Sequence, residues 1–220
     1  EIYTLSLHDA LPIYDCLVLE TGAMDRIKAM LSGISSDKRI LAIIIGWSFG
    51  CFMEGMAGFG TAVAIPVSIL IALGFEPLPT LVGLLIVNST PTAFGSVGVP
   101  TTTLASLLSS SLEMDVSTLT LSLSANTALI EALLMFLSPF FMVFVIGKGV
   151  KAFKGILPIV LVSSLAFTVP NFLVATFIGP ELPDIIGSAC SMAATIPLAI
   201  AMRKDRKSTR LNSSHMTASR

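Results

Sequence analysis

The sequence predicts an all-α, polytopic integral membrane protein with broken or re-entrant helices. Its composition is the first reason, because 54% of its 220 residues are hydrophobic, 12% are charged, and the mean hydropathy is +0.88. Soluble domains are far more polar than this. The formal net charge is -1 and no block of like charges is present, so we expect no nucleic acid among the partners.

The length of the apolar segments is the second reason. A helix needs about 20 apolar residues to cross a bilayer. Three segments meet this requirement, at residues 119–146, 156–178 and 185–202. These segments are the predicted unbroken crossings.

The third reason is an apolar region that is repeatedly interrupted. Glycines and prolines divide it into pieces at residues 40–53, 61–75, 80–87 and 97–112. Interrupted segments of this kind are typical of the discontinuous membrane helices that form binding sites in secondary transporters. The first two pieces fit either two crossings or one re-entrant hairpin with "EGMAGFG" (54–60) at its tip. The last two predict one crossing, broken near its middle by "NSTPTAFGSVGVP" (88–100).

The two ends of the chain differ from its body. Residues 1–13 and 206–220 resemble translated sequencing-adapter sequence, so we expect both to be artefacts and residues 14–205 to be an internal fragment of a longer gene. Both histidines, His8 and His215, lie in these ends, and the three cysteines form no CxxC pair. We therefore expect no metal site, no cofactor and no catalytic residue.

The distribution of basic residues predicts the orientation of the chain. Within residues 14–205, lysine and arginine occur in three places only: at 26–39, at 148–154 and at 203–204. Loops that carry such residues are predicted to be cytoplasmic. The loops at 113–117 and 179–184 contain acids and no basic residue, so they are predicted to lie outside. The segment "DRIKAMLSGISSDKR" (25–39) is predicted to lie at the membrane surface as a short amphipathic helix or loop.

Two acidic residues, Glu54 and Glu131, fall within the apolar segments. A charged acid at the bilayer centre costs on the order of 3 kcal/mol, and no basic side chain lies in any of these segments. We interpret both as candidates for proton coupling, since a desolvated carboxyl group favours its protonated form. The alternative is that either acid is a protonated hydrogen-bonding group, or lies nearer an interface.

Small polar residues mark one face of each unbroken crossing. Glu131 shares its face with Thr120, Ser124, Thr127 and Ser138, so that face is expected to look into the bundle. The two following crossings carry similar stripes, Ser164, Thr168 and Asn171 in one and Ser188, Ser191 and Thr195 in the other. For these stripes we favour a structural role, because small polar residues commonly join membrane helices.

The two interruptions are the candidate binding site. The glycines of "EGMAGFG" allow the backbone to leave the helix, and the exposed amide groups at a helix start can face an anion. In "NSTPTAFGSVGVPTTT" (88–103), the amide, the hydroxyls and the unwound backbone can hydrogen-bond a small carboxylate, a hydroxyl group or an ion.

The continuous stretch "FMEGMAGFGTAVAIPVSILIALGFEPLPTLVGLLIVNSTPTAFGSVGVP" resembles the lactate permease family, and "FIGPELPDIIGS" (177–188) is similar to a later stretch of that family. The resemblance covers residues 14–205. It implies a partial membrane transport domain of a bacterial inner-membrane secondary transporter, which moves L-lactate, glycolate or related 2-hydroxy monocarboxylates together with protons. Met56 replaces the usual Ala or Ser, and "VPTTT" carries hydroxyls where many members are aliphatic.

Carried onto this sequence, the resemblance makes the two motifs the site. We predict that Glu54 takes the coupling proton, with Glu131 as a second candidate. The predicted substrate-binding residues lie in and around the two interruptions: Gly55, Gly58, Phe59, Gly60, Asn88, Ser89, Thr90, Pro91, Gly95, Gly98 and Thr101. The expected partners are a small carboxylate and the lipid bilayer, while the oligomeric state is not predicted.

Three other functions remain to be weighed. A sodium-coupled carboxylate transporter would use the same oxygen-rich broken helices. A structural membrane subunit would need neither unpaired acids nor broken helices. A membrane enzyme is disfavoured, because residues 14–205 contain no histidine and no nucleophile with an adjacent base.

Overall fold

The computed structural model describes residues 34–35, 37–58 and 61–218, with side chains up to Arg203 except that of Thr61. The described residues form helices and no strands, which confirms the predicted all-α class. Residues 1–13 and most of the predicted surface segment 25–39 lie outside the described residues.

Seven helices follow one another along the described chain. They are α1 (Lys38–Ala57), α2 (Thr61–Ala72), α3 (Pro77–Asn88), α4 (Gly95–Leu112), α5 (Val116–Ile146), α6 (Leu157–Phe177) and α7 (Pro183–Ala218). Four are long and apolar enough to cross a membrane: α1, α5, α6 and the Pro183–Arg203 part of α7. The last three correspond to the three predicted unbroken crossings, which confirms a multi-pass membrane protein.

The first two helices form a hairpin with "EGMAGFG" at its turn. The Lys38 ammonium group, at the start of α1, donates to the Gly74 carbonyl oxygen just after α2, at 2.7 Å. At 1.5 Å per residue, the 12 residues of α2 extend about 18 Å, well short of the bilayer core of about 30 Å. Of the two arrangements that the sequence allows, the length of α2 favours the re-entrant hairpin.

The next two helices form the predicted broken crossing. Here α3 meets the segment Thr92–Leu112 at an angle of 63°. That segment begins with a short 3-10 turn at Thr92–Phe94. Together they are apolar enough to be one span. The break lies inside the "NSTPTAFGSVGVP" segment, as the sequence predicts.

The core lies where α1 packs between α6 and α7. A π-helical segment, Ile43–Phe49, widens the middle of α1 and buries Trp47 against Phe167, with 4.7 Å between the ring centroids. Beside it, the buried hydroxyl oxygen of Ser191 lies 2.8 Å from that of Ser48 and 2.9 Å from that of Ser163. These three serines join three helices, which is the structural role that we favour for the hydroxyl stripes.

The charged loops separate to opposite ends of the bundle. Arg39 donates to the Ala152 carbonyl oxygen at 2.7 Å, and Lys148 pairs with Glu76 at 2.6 Å, so two of the predicted cytoplasmic regions meet. At the other end, the first turns of α5 and the connection between α6 and α7 line one cleft. The structure therefore brings two of the three basic regions together at one end of the bundle and two acidic loops together at the other.

The start of α5 is capped by Asp115. Its carboxylate accepts hydrogen bonds from the backbone N–H groups of Ser117 and Thr118, at 3.1 and 3.3 Å, and from the Ser117 hydroxyl. The donated bonds, led by that hydroxyl, hold the pKa of Asp115 below its ordinary value. Because the folded-state pKa is lowered, the cap stabilises the fold above the ordinary pKa of about 4 and loses that effect as the pH falls through the folded-state value.

We therefore expect Asp115→Ala to lower the midpoint temperature of unfolding at pH 7, and to lower it less at pH 3. Thermal unfolding of the detergent-solubilised protein at both pH values measures the difference. Glu113→Ala is the control, since that exposed carboxylate lies at the C-terminal end of α4 and caps no helix start. An equal loss at both pH values would contradict the capping role.

Candidate functional site

Glu54 lies near the C-terminal end of α1 and is 2% exposed. Its Oε1 atom packs against Gly95, where a Cβ atom would stand only 2.6 Å away. The Asn88 side chain, at the end of α3, lies beside the carboxyl group. The Oε2 atom has no hydrogen-bond partner among the described residues. The structure thus places the predicted proton-coupling acid in a closed site beside the second motif.

The break after α1 meets the break between α3 and α4. Gly58 has a positive φ of 55°, and a Cβ atom there would lie 3.2 Å from the Ser96 backbone nitrogen. The Ser96 hydroxyl donates to the Ala57 carbonyl oxygen at 3.1 Å, which satisfies one of the groups that the end of α1 leaves free. The two interruptions that the sequence predicts separately therefore form one place in the fold.

The second break extends into the start of α4, where a kink contains three successive left-handed residues. Ser96, Val97 and Gly98 have φ values of 49°, 57° and 72°. Each non-glycine residue in this region costs about 1–2 kcal/mol, and β-branched valine is unusual there. Neighbouring contacts must hold this strained backbone in place, and strain of this kind concentrates at functional sites.

The connection between α6 and α7 is the third part of the site. Gly98 lies against it so closely that a Cβ atom would overlap the Pro180 carbonyl group. At the start of α7, Asp184 packs on α1, because a Cβ atom on Gly55 would lie 2.9 Å from the Asp184 Cβ atom. This contact was not predicted from the sequence.

The position of Asp184 in the first turn of α7 overturns two predictions: that residues 179–184 all lie in an outer loop, and that only two acids lie in the apolar segments. Asp184 is 1% exposed. Its Oδ1 atom accepts a hydrogen bond from the Asn171 amide at 2.8 Å, while Oδ2 has no partner among the described residues. An acid that follows a proline at a helix start usually faces water, so the Pro183-Asp184 sequence does not indicate that Asp184 is buried. Two features of the sequence relate to it: Asp184 lies in the family-like stretch 177–188, and Asn171 lies in a stripe that is predicted to be structural.

Glu131 lies on α5, partly buried, and its Oε2 atom has no partner among the described residues. Ser124 and Ser138, on the same predicted face, are buried, which confirms that this face looks into the bundle. Ser138 donates to the Thr90 hydroxyl at 3.2 Å and so joins α5 to the second break. Asp184 lies within electrostatic range of both Glu131 and Glu54.

The predicted hydroxyl groups of the second motif are already engaged as donors. Ser89, Thr90 and Thr101 donate to the carbonyl oxygens of Ile86, Val87 and Ala93, at 2.7, 2.9 and 2.8 Å. Their lone pairs remain able to accept, but their hydrogens are not free for an anion. A carboxylate at this site would need N–H groups instead.

The remaining predicted residues are placed as follows. Pro91 and Gly95 are buried in the second break beside Phe94, and Phe59 and Gly60 lie outside the described residues. The described basic side chains lie near helix ends, away from Glu54, Glu131 and Asp184. For example, Arg203 follows Asp184 by about 30 Å along α7. Within the described residues, no group of three or more His, Cys, Asp or Glu could hold a metal ion.

Comparisons with known proteins agree with these observations. The family model described as L-lactate permease matches residues 10–220. The L-lactate permease of Streptococcus iniae is 46% identical over 180 residues, 82% of this chain and 36% of that protein. The L-lactate permease of Bacillus subtilis (strain 168) is 37% identical over 180 residues, 81% of this chain and 30% of that protein.

A glycolate permease of Escherichia coli (strain K12) is 35% identical over 178 residues, 81% of this chain and 30% of that protein. The chain therefore spans about a third of the length of these relatives, 30% to 36%. No solved structure matches it. The relatives are permeases, which are transporters rather than enzymes, and the extent of the family match shows that this chain belongs to the L-lactate permease family.

Proposed function

We propose that the protein is a secondary active transporter that takes up L-lactate, glycolate and similar 2-hydroxy monocarboxylates together with protons across the inner membrane. The observation that carries this proposal is Glu54. It is buried where two helix breaks meet, and one of its carboxyl oxygens has no partner among the described residues. The names of the relatives supply the substrate class.

The coupling follows from the cost of a buried charge. An ionised carboxylate without a cation is strongly disfavoured in a medium of low dielectric, so Glu54 binds a proton when the site is closed. It releases that proton when the site opens to water. Transport is then driven by the proton gradient, and no cofactor is needed.

The substrate would use two kinds of group in the second break. Backbone N–H groups at helix starts and the Asn88 amide would bind its carboxylate. The engaged hydroxyls would accept a hydrogen bond from the 2-hydroxyl group, because each oxygen keeps a lone pair that can accept while its hydrogen is already donated. This division favours an acid that carries a hydroxyl next to its carboxylate.

The orientation is part of the proposal. We place the end that carries Arg39 and Lys148 in the cytoplasm, since lysine and arginine are retained there. The acidic loops then face outward.

The test is L-lactate uptake into proteoliposomes that contain the protein expressed from its complete reading frame. An inward proton gradient is imposed, sodium is absent, and an ionophore that collapses the gradient is the control. We expect uptake that stops when the gradient collapses. Uptake that requires sodium would replace proton coupling by sodium coupling. A folded protein that transports lactate, glycolate and related acids under neither gradient would overturn the proposal.

A further inference from the structure

Asp184 is a buried acid for which the proposed function has no role so far. It stands in the first turn of α7, is 1% exposed, and keeps one carboxyl oxygen without a partner among the described residues. An isolated buried charge is too costly to be retained for packing alone, so this carboxyl group must be neutral or must bind a cation.

Asp184 on α7 packs against α1 at the residue that follows Glu54. Gly55, the residue after Glu54, lies directly against Asp184, and a Cβ atom on Gly55 would stand 2.9 Å from the Asp184 Cβ atom. A side chain at position 55 would therefore separate α1 from α7. Asp184 is in electrostatic range first of Glu131 on α5 and then of Glu54 on α1.

One carboxyl oxygen of Asp184 accepts a hydrogen bond, and the other has no partner among the described residues. The Asn171 amide of α6 donates to Oδ1 at 2.8 Å, which orients the carboxyl group. Among the described residues, the titratable groups in range are Glu131 on α5 and Glu54 and Cys51 on α1, and none of these is basic. Buried carboxyl groups within electrostatic range of one another, without a basic partner among the described residues, do not all ionise, because like charges disfavour each other in a buried site.

We propose that Asp184 is the second carboxyl group of the coupling site and shares the transported proton with Glu54. The proton binds a carboxylate oxygen from water on one side of the membrane and returns to water on the other, so charge balances without a further ion. Asn171 is a positioning residue, since it acts by orienting Asp184. This inference rests on the proposed function and adds a residue that neither of the two helix-break motifs contains.

The principal test is Asp184→Asn in the proteoliposome assay, with the protein from its complete reading frame. An amide cannot bind and release a proton, so we expect gradient-driven uptake of L-lactate to fall by at least about tenfold. Exchange of external for internal lactate needs no net proton movement and should stay within about twofold of the unmodified protein. Glu113→Gln is the control, because it removes an exposed acid at the end of α4, away from the helix breaks and from the α6–α7 connection, and should change neither rate.

Two results would overturn the proposal. One is gradient-driven uptake that survives Asp184→Asn. The other is a folded Asp184→Asn variant that loses exchange as completely as uptake, which would indicate a role in substrate binding or structure. Adding Glu54→Gln to Asp184→Asn should reduce uptake no further than the stronger single change, because residues that act as one unit are not additive.

A second measurement needs neither transport nor a variant of Asp184. Dicyclohexylcarbodiimide reacts with protonated carboxyl groups in apolar surroundings, and mass spectrometry locates the product. In Glu54→Gln we expect the reagent on Asp184 at neutral pH, and none on exposed Glu181. Labelling that never reaches Asp184 would contradict the proposal. If the unmodified protein transported no monocarboxylate but Asp184 were labelled, the proposed function would fail while the buried protonated pair remained.

Discussion

Glu54→Gln should reduce L-lactate uptake driven by a proton gradient by about a hundredfold, the size of effect that follows loss of an essential proton-transfer group. Glutamine has nearly the shape of a protonated glutamate and fits the same space beside Gly95. It cannot release a proton. The substituted protein can therefore bind substrate in the closed state, but it cannot complete a cycle that moves a proton.

The same substitution should leave lactate exchange largely intact. Exchange needs only the loaded, protonated form of the site, which glutamine imitates. Measuring uptake and exchange in the same proteoliposomes separates a coupling residue from one that merely supports the fold. A loss of both rates would move Glu54 from proton coupling to substrate binding.

Glu113→Gln is the control for Glu54→Gln. It removes an exposed carboxylate at the end of α4, remote from the helix breaks, and should change neither rate. Equal uptake by Glu54→Gln and the unmodified protein would sink the role of Glu54, and the proton would then have to bind elsewhere.

The helices and their interruptions were predictable because they follow from local rules. An apolar run of sufficient length must be a helix in a bilayer, and clustered glycine and proline must interrupt it. The three unbroken crossings and the breaks at Gly58 and at residues 89–98 were therefore located from the sequence. The sequence leaves both a re-entrant hairpin and two crossings open for residues 40–75, and the 12-residue length of α2 favours the hairpin.

The contacts between these distant segments were not predictable from the sequence. Nothing near Ser96 in sequence indicates that its hydroxyl bonds to Ala57, 39 residues earlier. Likewise Asp184 resembles an ordinary acid at a helix start, and only its packing against Gly55 makes it part of the site. Contacts between distant segments depend on the whole bundle, whereas a window of sequence reports only the neighbours of a residue along one helix.

The hydroxyl groups show the same limit. The sequence predicts that Ser89, Thr90 and Thr101 can bond a substrate, but not which of their atoms are free. Their donation to nearby carbonyl oxygens is a backbone effect of unwound helix ends, and it reverses the role that we assign to them, from donor to acceptor.

Gly98→Ala should lower the free energy of unfolding by about 2–4 kcal/mol. Left-handed backbone accounts for about 1–2 kcal/mol of this cost and forced overlap in a packed region for the rest. At Gly98 the φ value is 72°, and the added methyl group would overlap the Pro180 carbonyl and lie 2.9 Å from the Glu181 backbone nitrogen. Both neighbours are backbone, which cannot move aside as the end of a side chain can.

Gly74→Ala separates the two causes. Gly74 also has a positive φ, 82°, but its added methyl group would meet only the flexible end of Lys38, at 3.2 Å. Denaturant or thermal unfolding in detergent should therefore show a smaller loss for Gly74→Ala than for Gly98→Ala. Equal losses of unfolding free energy would mean that the second break is not tightly packed against the α6–α7 connection. If the difference is found, that contact is rigid. Gly98→Ala should then also impair gradient-driven uptake, because the connection it displaces leads directly into Asp184.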